Sequence, residues 1–410
     1  MPMRASFARC SRDAAAVLTD EVVRAFGPPL APPPDGARRW PVAVLGATGA
    51  VGQTFVRLLE AHPWFEVAEL AASERSAGRS YAEAARWIEG TMPERLRDVR
   101  VLPCDPAAVR APVVFSALDA SAAGDVEPAF AAAGRLVLSN AKNYRMAADV
   151  PLLIPEVNWP HVALLAEQQR SRGWPGALVT NANCSVTVAA MALAPLHAAF
   201  GVERVMAATM QAVSGAGYPG VPSLDILGNV VPYIADEEPK IEAELARLLG
   251  TYAGGAVTPA AVRAGAHANR VAVEHGHTVC LSVGFARRPS PADVVEVLRA
   301  WRGPAEVADA LAGCPSAPVP PLAVFDAPDR PQPRRDVMAG GGMRVSVGRV
   351  REDAVLDVRM VVMGHNTIRG AAGGSILNAE LLLAGAAPAP AFRTLVGQAL
   401  VGHALAGAAS

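Results

Sequence analysis

The chain has 410 residues, with 37 Lys and Arg against 38 Asp and Glu for a formal charge of −1, and is 51% hydrophobic and 18% charged. At roughly 150 residues per domain this means two or three domains with room for sizeable cores, and the apolar content excludes a disordered chain. Balanced charge argues against nucleic acid or a membrane surface as partner, and no apolar run of about 18 residues could span a bilayer.

Residues 1–38 stand apart. Asp13–Gly27 has helical spacing through Ala16, Val17, Val22, Val23 and Phe26, and the proline run from Pro28 to Pro34 reads as a semi-rigid linker. Arg9, Arg12, Asp13, Asp20 and Glu21 interrupt any signal-peptide apolar core, so an N-terminal extension without fixed structure is expected.

Trp40–Leu45 then reads as a buried strand, followed by the loop Gly46-Ala47-Thr48-Gly49-Ala50-Val51-Gly52 and a helix over Gln53–His62. Strand, glycine loop and helix in that order define a dinucleotide site. Glycines let backbone approach a pyrophosphate, and the helix start supplies N–H groups and a positive dipole end. The next strand, Phe65–Ala71, ends in Ser73-Glu74-Arg75-Ser76, where a ribose-recognising side chain belongs. Glu74 suits a 2′-hydroxyl and Arg75, flanked by Ser73 and Ser76, suits a 2′-phosphate, so NAD and NADP both stay open on charge alone. Strands at Val113–Ala117 and Leu136–Ser139 around a helix at Glu127–Ala133 continue a parallel, doubly wound sheet.

After Val150 a proline-rich stretch leads to a helix through Gln169 and a strand at Ala177–Thr180. Beyond residue 205 strands dominate: Val205–Val213, Val271–Val273, Thr278–Phe285 and Val355–Val362, with a closing helix over Ile368–Ala387. This predicts an N-terminal Rossmann-type domain over 39–182, completed by 366–410, and a second α/β domain of mixed strand direction over 183–365.

Cys184 lies just after a strand and before an apolar helix at Val186–Ala199. A helix N-terminus lowers a thiol below its free value of about 8.5, which suits a nucleophile. Cys10, Cys104, Cys280 and Cys314 lack that placement. With no Cys-x-x-Cys pair, structural zinc and a disulfide framework are not expected, no metal is assigned, and a reducing cytoplasm fits. A partner base could be His275 or His277, which alternation would place on one strand face unless Gly276 distorts it. Arg270, seven residues before His277, could clamp a carboxylate. Gln211–Gly220 ends a strand in a glycine-rich loop of the kind that closes over substrate, and Asp236-Glu237-Glu238-Pro239-Lys240 opens a helix.

Together these segments resemble aspartate-semialdehyde dehydrogenase, in its archaeal and fungal-type branch, from about Pro41 to Leu383. The resemblance is carried by Gly46–Gly52, Ala72–Gly78, Ser139–Arg145, the branch marker Gln169–Trp174, Asn183-Cys184-Ser185, Gln211–Gly220, the Arg270/His277 pair and Asn366–Ala372. It implies a glyceraldehyde-3-phosphate-dehydrogenase-like catalytic and dimerisation domain, a homodimer or homotetramer, and a place in lysine, threonine and methionine biosynthesis. It implies NADP as cofactor, held by Gly46, Thr48, Gly49, Ala50, Val51, Gly52, Ser73, Arg75, Ser76 and Asn366. It also implies Cys184 as nucleophile, His277 as general acid/base and Gln211 as the residue orienting the acyl group. Arg270 would then bind the substrate carboxylate, Glu237 its ammonium, and Lys240, Arg145 and Asn183 the phosphate. Ala182, Ala268 and Ala272 depart from the family pattern without removing a charge or a nucleophile. The rival readings are a malonyl-CoA or succinyl-CoA reductase with the same cysteine chemistry, N-acetyl-glutamyl-phosphate reductase, and a non-catalytic NADP-binding sensor.

Overall fold

The structure, a computed structural model, describes residues 39–384; the expectations for residues 1–38 and 385–410, including Cys10 and the end of the closing helix, lie outside them. Val42, Ala43, Val44 and Leu45 of β1 (Trp40–Leu45) are fully buried, because a central parallel strand is covered on both faces. Around it β2 (Phe65–Ala72), β3 (Leu102–Pro103), β4 (Val113–Ser116), β5 (Leu136–Ser139) and β6 (Ala177–Thr180) form a six-stranded parallel sheet in the order β3-β2-β1-β4-β5-β6. The order reverses between β1 and β4, so a ligand crevice opens at the carboxyl ends of those two strands. Helices α1 (Ala50–Glu60), α2 (Ala120–Ala132) and α3 (Leu164–Arg172) are its crossovers.

Helix α2 starts well before Glu127, where the sequence placed it, and carries Pro128 inside. Proline cannot donate to the carbonyl four residues back. Tyr144 Oη donates to that carbonyl, Gly124 O, at 2.6 Å, which is how the helix continues through the proline.

The second sheet is mixed. In the order β10-β7-β11-β14-β13-β12 it comprises β7 (Val202–Gln211), β10 (Arg263–Arg270), β11 (His277–Phe285), β12 (Leu322–Phe325), β13 (Val345–Glu352) and β14 (Val358–Gly364), while β8 (Thr251–Ala253) and β9 (Ala256–Thr258) form a separate small hairpin. Its inner face, including Val205, Ala207, Val279, Leu281, Val283, Met360 and Val362, packs on α4 (Cys184–Phe200). Helix α4 is apolar on nearly every side because it is buried on nearly every side. Helices α5 (Glu237–Leu248) and α6 (Pro291–Ala300) close the same core.

Val271–Val273, expected as a strand, is not one. The strand at this point is β10, which pairs in parallel with β7 and ends where β7 ends, at the Arg270–Gln211 pair. The chain must then reverse to bring His277 into β11, antiparallel to β7, and does so through Gly276 at φ +104°. That turn also separates the two histidines that strict alternation would have paired: His277 is buried and His275 half-buried.

After β14 a short π-helical segment, Ile368–Ala372, leads into α7 (Gly373–Ala384). Ile376, Leu377 and Leu381 to Leu383 of α7 share a core with Trp40, Val42, Val44, Phe55 and Phe115, so the end of the described chain packs against the first sheet.

Candidate active site

The strand-to-helix step from β6 to α4 presents Cys184 at the first turn of α4. Asn183 is the N-cap: its Oδ1 accepts from the backbone N–H groups of Ser185 at 2.9 Å and Val186 at 3.1 Å. Gly370, in the π-helical segment, approaches so closely that a Cβ there would lie 2.7 Å from Cys184 Cβ.

The expectation of a lowered thiol pKa fails. Cys184 is half-buried. Burial, and next the Glu237 carboxylate, push the thiol up to about 12 against the opposing charges of Arg145 and Arg270 and the N–H of Ser185. Half a unit of charge at a helix end cannot outweigh desolvation plus a full nearby negative charge.

Helix α5 brings two carboxylates to Asn183. Glu237 Oε1 accepts from Asn183 Nδ2 at 2.8 Å and from Gln211 Nε2 at 3.0 Å, with Lys240 Nζ 3.8 Å from Oε2. Glu238 turns away and accepts from Ala268 N–H at 3.0 Å. Glu244, two helical turns beyond Glu237, was not singled out in the sequence. Its Oε2 accepts from Asn183 N–H at 2.6 Å, and its Oε1 accepts from Arg145 Nη1 at 3.0 Å. Arg145 also donates to Asn140 O at 2.8 Å. The available signal was periodicity: Glu244 shares the inward stripe of α5 with Glu237, Ile241, Leu245 and Leu248, where a buried acid needs a partner.

Arg270 and His277 lie side by side. A Cβ on Gly215 would stand 2.9 Å from both Arg270 Nη1 and His277 Cε1, so the loop after β7 covers the pair with glycine alone. Arg270 Nη1 donates to Ala212 O at 2.8 Å, and Ala212 N–H donates to His277 Nδ1 at 3.1 Å. Burial, then the charge of Arg270 and of His365, press His277 down to about 3. Asn366 links this region to the loop after β7: its Nδ2 donates to Ser214 Oγ at 2.8 Å, and its Oδ1 accepts from Gly276 N–H at 2.9 Å. His275 bonds Ser214 Oγ at 3.0 Å and stacks on His365 at 4.8 Å between centroids. The structure therefore gathers Cys184, Asn183, Gln211, Glu237, Lys240, Arg145, Arg270 and His277 around the start of α4.

The glycine loop sits at the crevice between β1 and β4. A Cβ on Gly52 would stand 2.2 Å from Gly46 O, so the loop tolerates no side chain there, and the α1 N-cap, Gly49, places none over the first turn. Thr48, Ala50 and Val51 line the same loop. Ser73 and Arg75 are exposed on the turn after β2, with Ser76 buried beneath them. A cleft of about 450 Å³ runs from Ala50 and Thr54 of α1 to Ser214, His275 and Thr367. These residues fit a dinucleotide: bare backbone for a pyrophosphate, and an exposed guanidinium for a ribose phosphate. Among the described residues no cluster of metal-ligating side chains occurs.

A glycine-loop crevice for a dinucleotide in the first domain, and fixed charges of both signs around the start of α4 in the second, fit a two-domain dehydrogenase. Comparison with known proteins specifies it further. The family description "Semialdehyde dehydrogenase, NAD binding domain" matches residues 41–165, and "Semialdehyde dehydrogenase, dimerisation domain" matches residues 193–369. An aspartate-semialdehyde dehydrogenase of Archaeoglobus fulgidus is 47% identical over 346 residues, covering 84% of this chain and 98% of its own length. That of Candida albicans is 47% identical over 358 residues, covering 83% and 97%. The crystal structure of the Candida albicans enzyme with NADP superposes with a TM-score of 0.76 at 46% identity, over 85% of this chain and 99% of that one. An aspartate semialdehyde dehydrogenase II of Vibrio cholerae, solved as a complex with ASA, gives 0.67 at 26% identity, over 85% and 99%. The chain belongs to the aspartate-semialdehyde dehydrogenase family.

Proposed function

We propose that the protein reduces L-β-aspartyl phosphate to L-aspartate 4-semialdehyde with NADPH, through a thioester on Cys184. The observation that carries this reading is the convergence of Glu237, Arg270 and the Arg145/Lys240 pair on one capped thiol. The substrate bears an ammonium, a carboxylate and a phosphate, and each charge meets its opposite. NADP would rest on Gly46 to Gly52 with Ser73, Arg75 and Ser76 at its 2′-phosphate and Asn366 at the nicotinamide end; when bound it supplies the hydride. The chain's own residues do the rest. Arg270 and Glu237 fix the amino-acid end, Gln211 orients the acyl group, and Arg145, Lys240 and Asn183 hold the phosphate that Cys184 displaces.

Substrate charges would act on the same two groups. Burial first and then Glu237 hold the thiol up, and an ammonium beside Glu237 offsets that second influence; burial first and then Arg270 hold His277 down, and a carboxylate beside Arg270 offsets that one. A malonyl-CoA or succinyl-CoA reductase would have no use for a buried acid at this point.

The match to a dimerisation domain supports a homodimer, or a tetramer built from two; among the described residues no helix is long and apolar enough to cross a membrane. The test of the reaction is NADP+ reduction by aspartate semialdehyde with and without inorganic phosphate. Phosphate-dependent reduction, abolished in Cys184→Ala, is expected; reduction that requires coenzyme A in place of phosphate would transfer the chain to the reductase reading.

A further inference from the structure

Glu127 is a carboxyl group for which the proposed reaction has no task. It lies on α2, fully buried, against the carboxyl ends of β4 and β5. Its Oε1 accepts from Ser116 Oγ and from Ser139 Oγ, on the last residues of those two strands, at 2.7 Å each. Its Oε2 is buried with no hydrogen-bond partner, and among the described residues neither oxygen is in an ion pair. Burial keeps the carboxyl above the usual carboxylate range, against the two hydroxyls and the charge of Arg145. A carboxylate here would leave charge on an oxygen that nothing meets, so the protonated acid is the form that fits.

The hydroxyl of Ser139 passes this contact on. It has one proton, and giving it to Glu127 leaves the lone pairs of Oγ to accept from Ala141 N–H at 3.0 Å. That bond sets the first turn of the segment 139–145, which carries Lys142 and Arg145. Two further bonds fasten the segment to the same helix: Asn143 Nδ2 donates to Ala120 O at 2.9 Å, and Tyr144 Oη to Gly124 O at 2.6 Å. Residues 120, 124 and 127 are spaced four and then three apart, so one face of α2 carries all three attachments. Arg145 closes the segment by donating to Asn140 O at 2.8 Å, and its Nη1 reaches Glu244 at 3.0 Å.

We infer that Glu127 is a positioning residue for the phosphate site: through Ser139 it holds the segment that brings Arg145 to the start of α4. What it supplies is an acceptor at one fixed point, not a charge. The inference rests on the proposed reaction, in which Arg145 holds the phosphate, and adds to it a residue that touches neither substrate nor cofactor.

Three replacements of Glu127 in the full chain test this. Glutamine keeps the acceptor and drops the acid, aspartate keeps the acid but draws it back by a methylene, and alanine removes both. In NADP+ reduction by aspartate semialdehyde, Glu127→Ala and Glu127→Asp should raise the KM for inorganic phosphate about tenfold while the KM for NADP+ moves less than about twofold, and Glu127→Gln should stay within about twofold of wild type for both. Loss in the glutamine variant with wild-type constants in the aspartate variant would show that the charge matters and overturns the inference. An equal rise in both constants in Glu127→Ala overturns it too, since the whole domain has then loosened. Ser139→Ala keeps the question answerable if Glu127→Ala does not fold: the same selective rise for phosphate is expected, and an unchanged phosphate KM refutes the relay. Amide hydrogen exchange over 139–145, read by mass spectrometry, needs no substrate. It should be faster than wild type in the alanine variant and like wild type in the glutamine variant; full protection in the alanine variant means that Glu127 does not hold the segment. If the wild-type protein shows no phosphate-dependent turnover, the reaction is wrong, while the exchange data still decide what Glu127 holds.

Discussion

At Cys184 the local and the collective influences oppose each other, and magnitude decides between them. The helix start and the N–H of Ser185 favour thiolate; burial and the charge of Glu237 favour thiol, and the second pair wins. Helix position is visible in a sequence, whereas burial and a carboxylate 53 residues downstream are not. Glu237→Gln separates the two tasks of that residue. The amide oxygen can still accept from Asn183 Nδ2 or Gln211 Nε2, but the charge is gone. Cys184 in this variant should alkylate several-fold faster than wild type at pH 8, because its thiol falls toward the free value. The same variant should lose about tenfold or more in kcat/KM for aspartate semialdehyde, because the ammonium loses its partner. A more reactive thiol in a poorer enzyme is the expected signature; slower alkylation would show that Glu237 does not bear on the sulfur.

At the scale of elements, what the sequence made legible was what short-range pattern controls. Apolar runs bounded by glycine or proline placed β1, β5 and β6 to the residue, and the glycine loop announced itself between strand and helix. The failures arose where a distant group overrides local preference. The helix expected over Glu127–Ala133 starts seven residues earlier, at Ala120, and Tyr144 donates to the Gly124 carbonyl that Pro128 cannot serve. Val271–Val273 has strand-forming residues, yet β7 ends at Gln211 and only separate backbone bonds follow, among them Val271 N–H to Gln211 O at 3.0 Å and Val213 N–H to Val273 O at 2.8 Å. Glu244, not singled out in the sequence, is the bridge between Arg145 and the cap of α4. The π-helical segment was likewise read as ordinary helix, though its irregularity is what lays Gly370 against Cys184. A π-turn at a functional site is a recurring device. Gly370→Ala puts a methyl carbon 2.7 Å from Cys184 Cβ, inside contact distance, so one of the two elements must move. Loss of about 1–3 kcal/mol in stability is expected from overpacking, with kcat falling more than 10-fold and the KM for NADP+ changing less, since the nearest atoms a methyl at Gly370 would meet all belong to Cys184. A fall in NADP+ affinity equal to the fall in kcat would mean that the whole segment had shifted and not the thiol alone.

Across the whole molecule the chain passes from the second sheet back to the first through one buried ion pair. Arg369, leaving β14, donates from Nη1 and Nη2 to Glu156 Oε1 and Oε2 at 2.7 and 2.6 Å, and from Nη2 to Met191 Sδ on α4 at 3.2 Å. Both charged side chains are 2% exposed or less. Glu156 stands on the segment between β5 and β6, so the pair joins the first domain, helix α4 and the returning π-helical segment at one point. Two desolvated charges are poor net stabilisers compared with a well-packed apolar pair, but removing one of them strands the other without water. Glu156→Ala should therefore cost about 3–5 kcal/mol in denaturant unfolding. The double replacement of Glu156 and Arg369 by Met should recover most of that loss, since no uncompensated charge remains. Activity separates stability from register: if the pair fixes where α7 and the π-helical segment lie against α4, the double variant will fold well and still turn over slowly. A single variant within about 1 kcal/mol of wild type would show that water reaches Arg369 readily and that the apolar core and the Asn181 and His62 hydrogen bonds hold the returning segment without the pair.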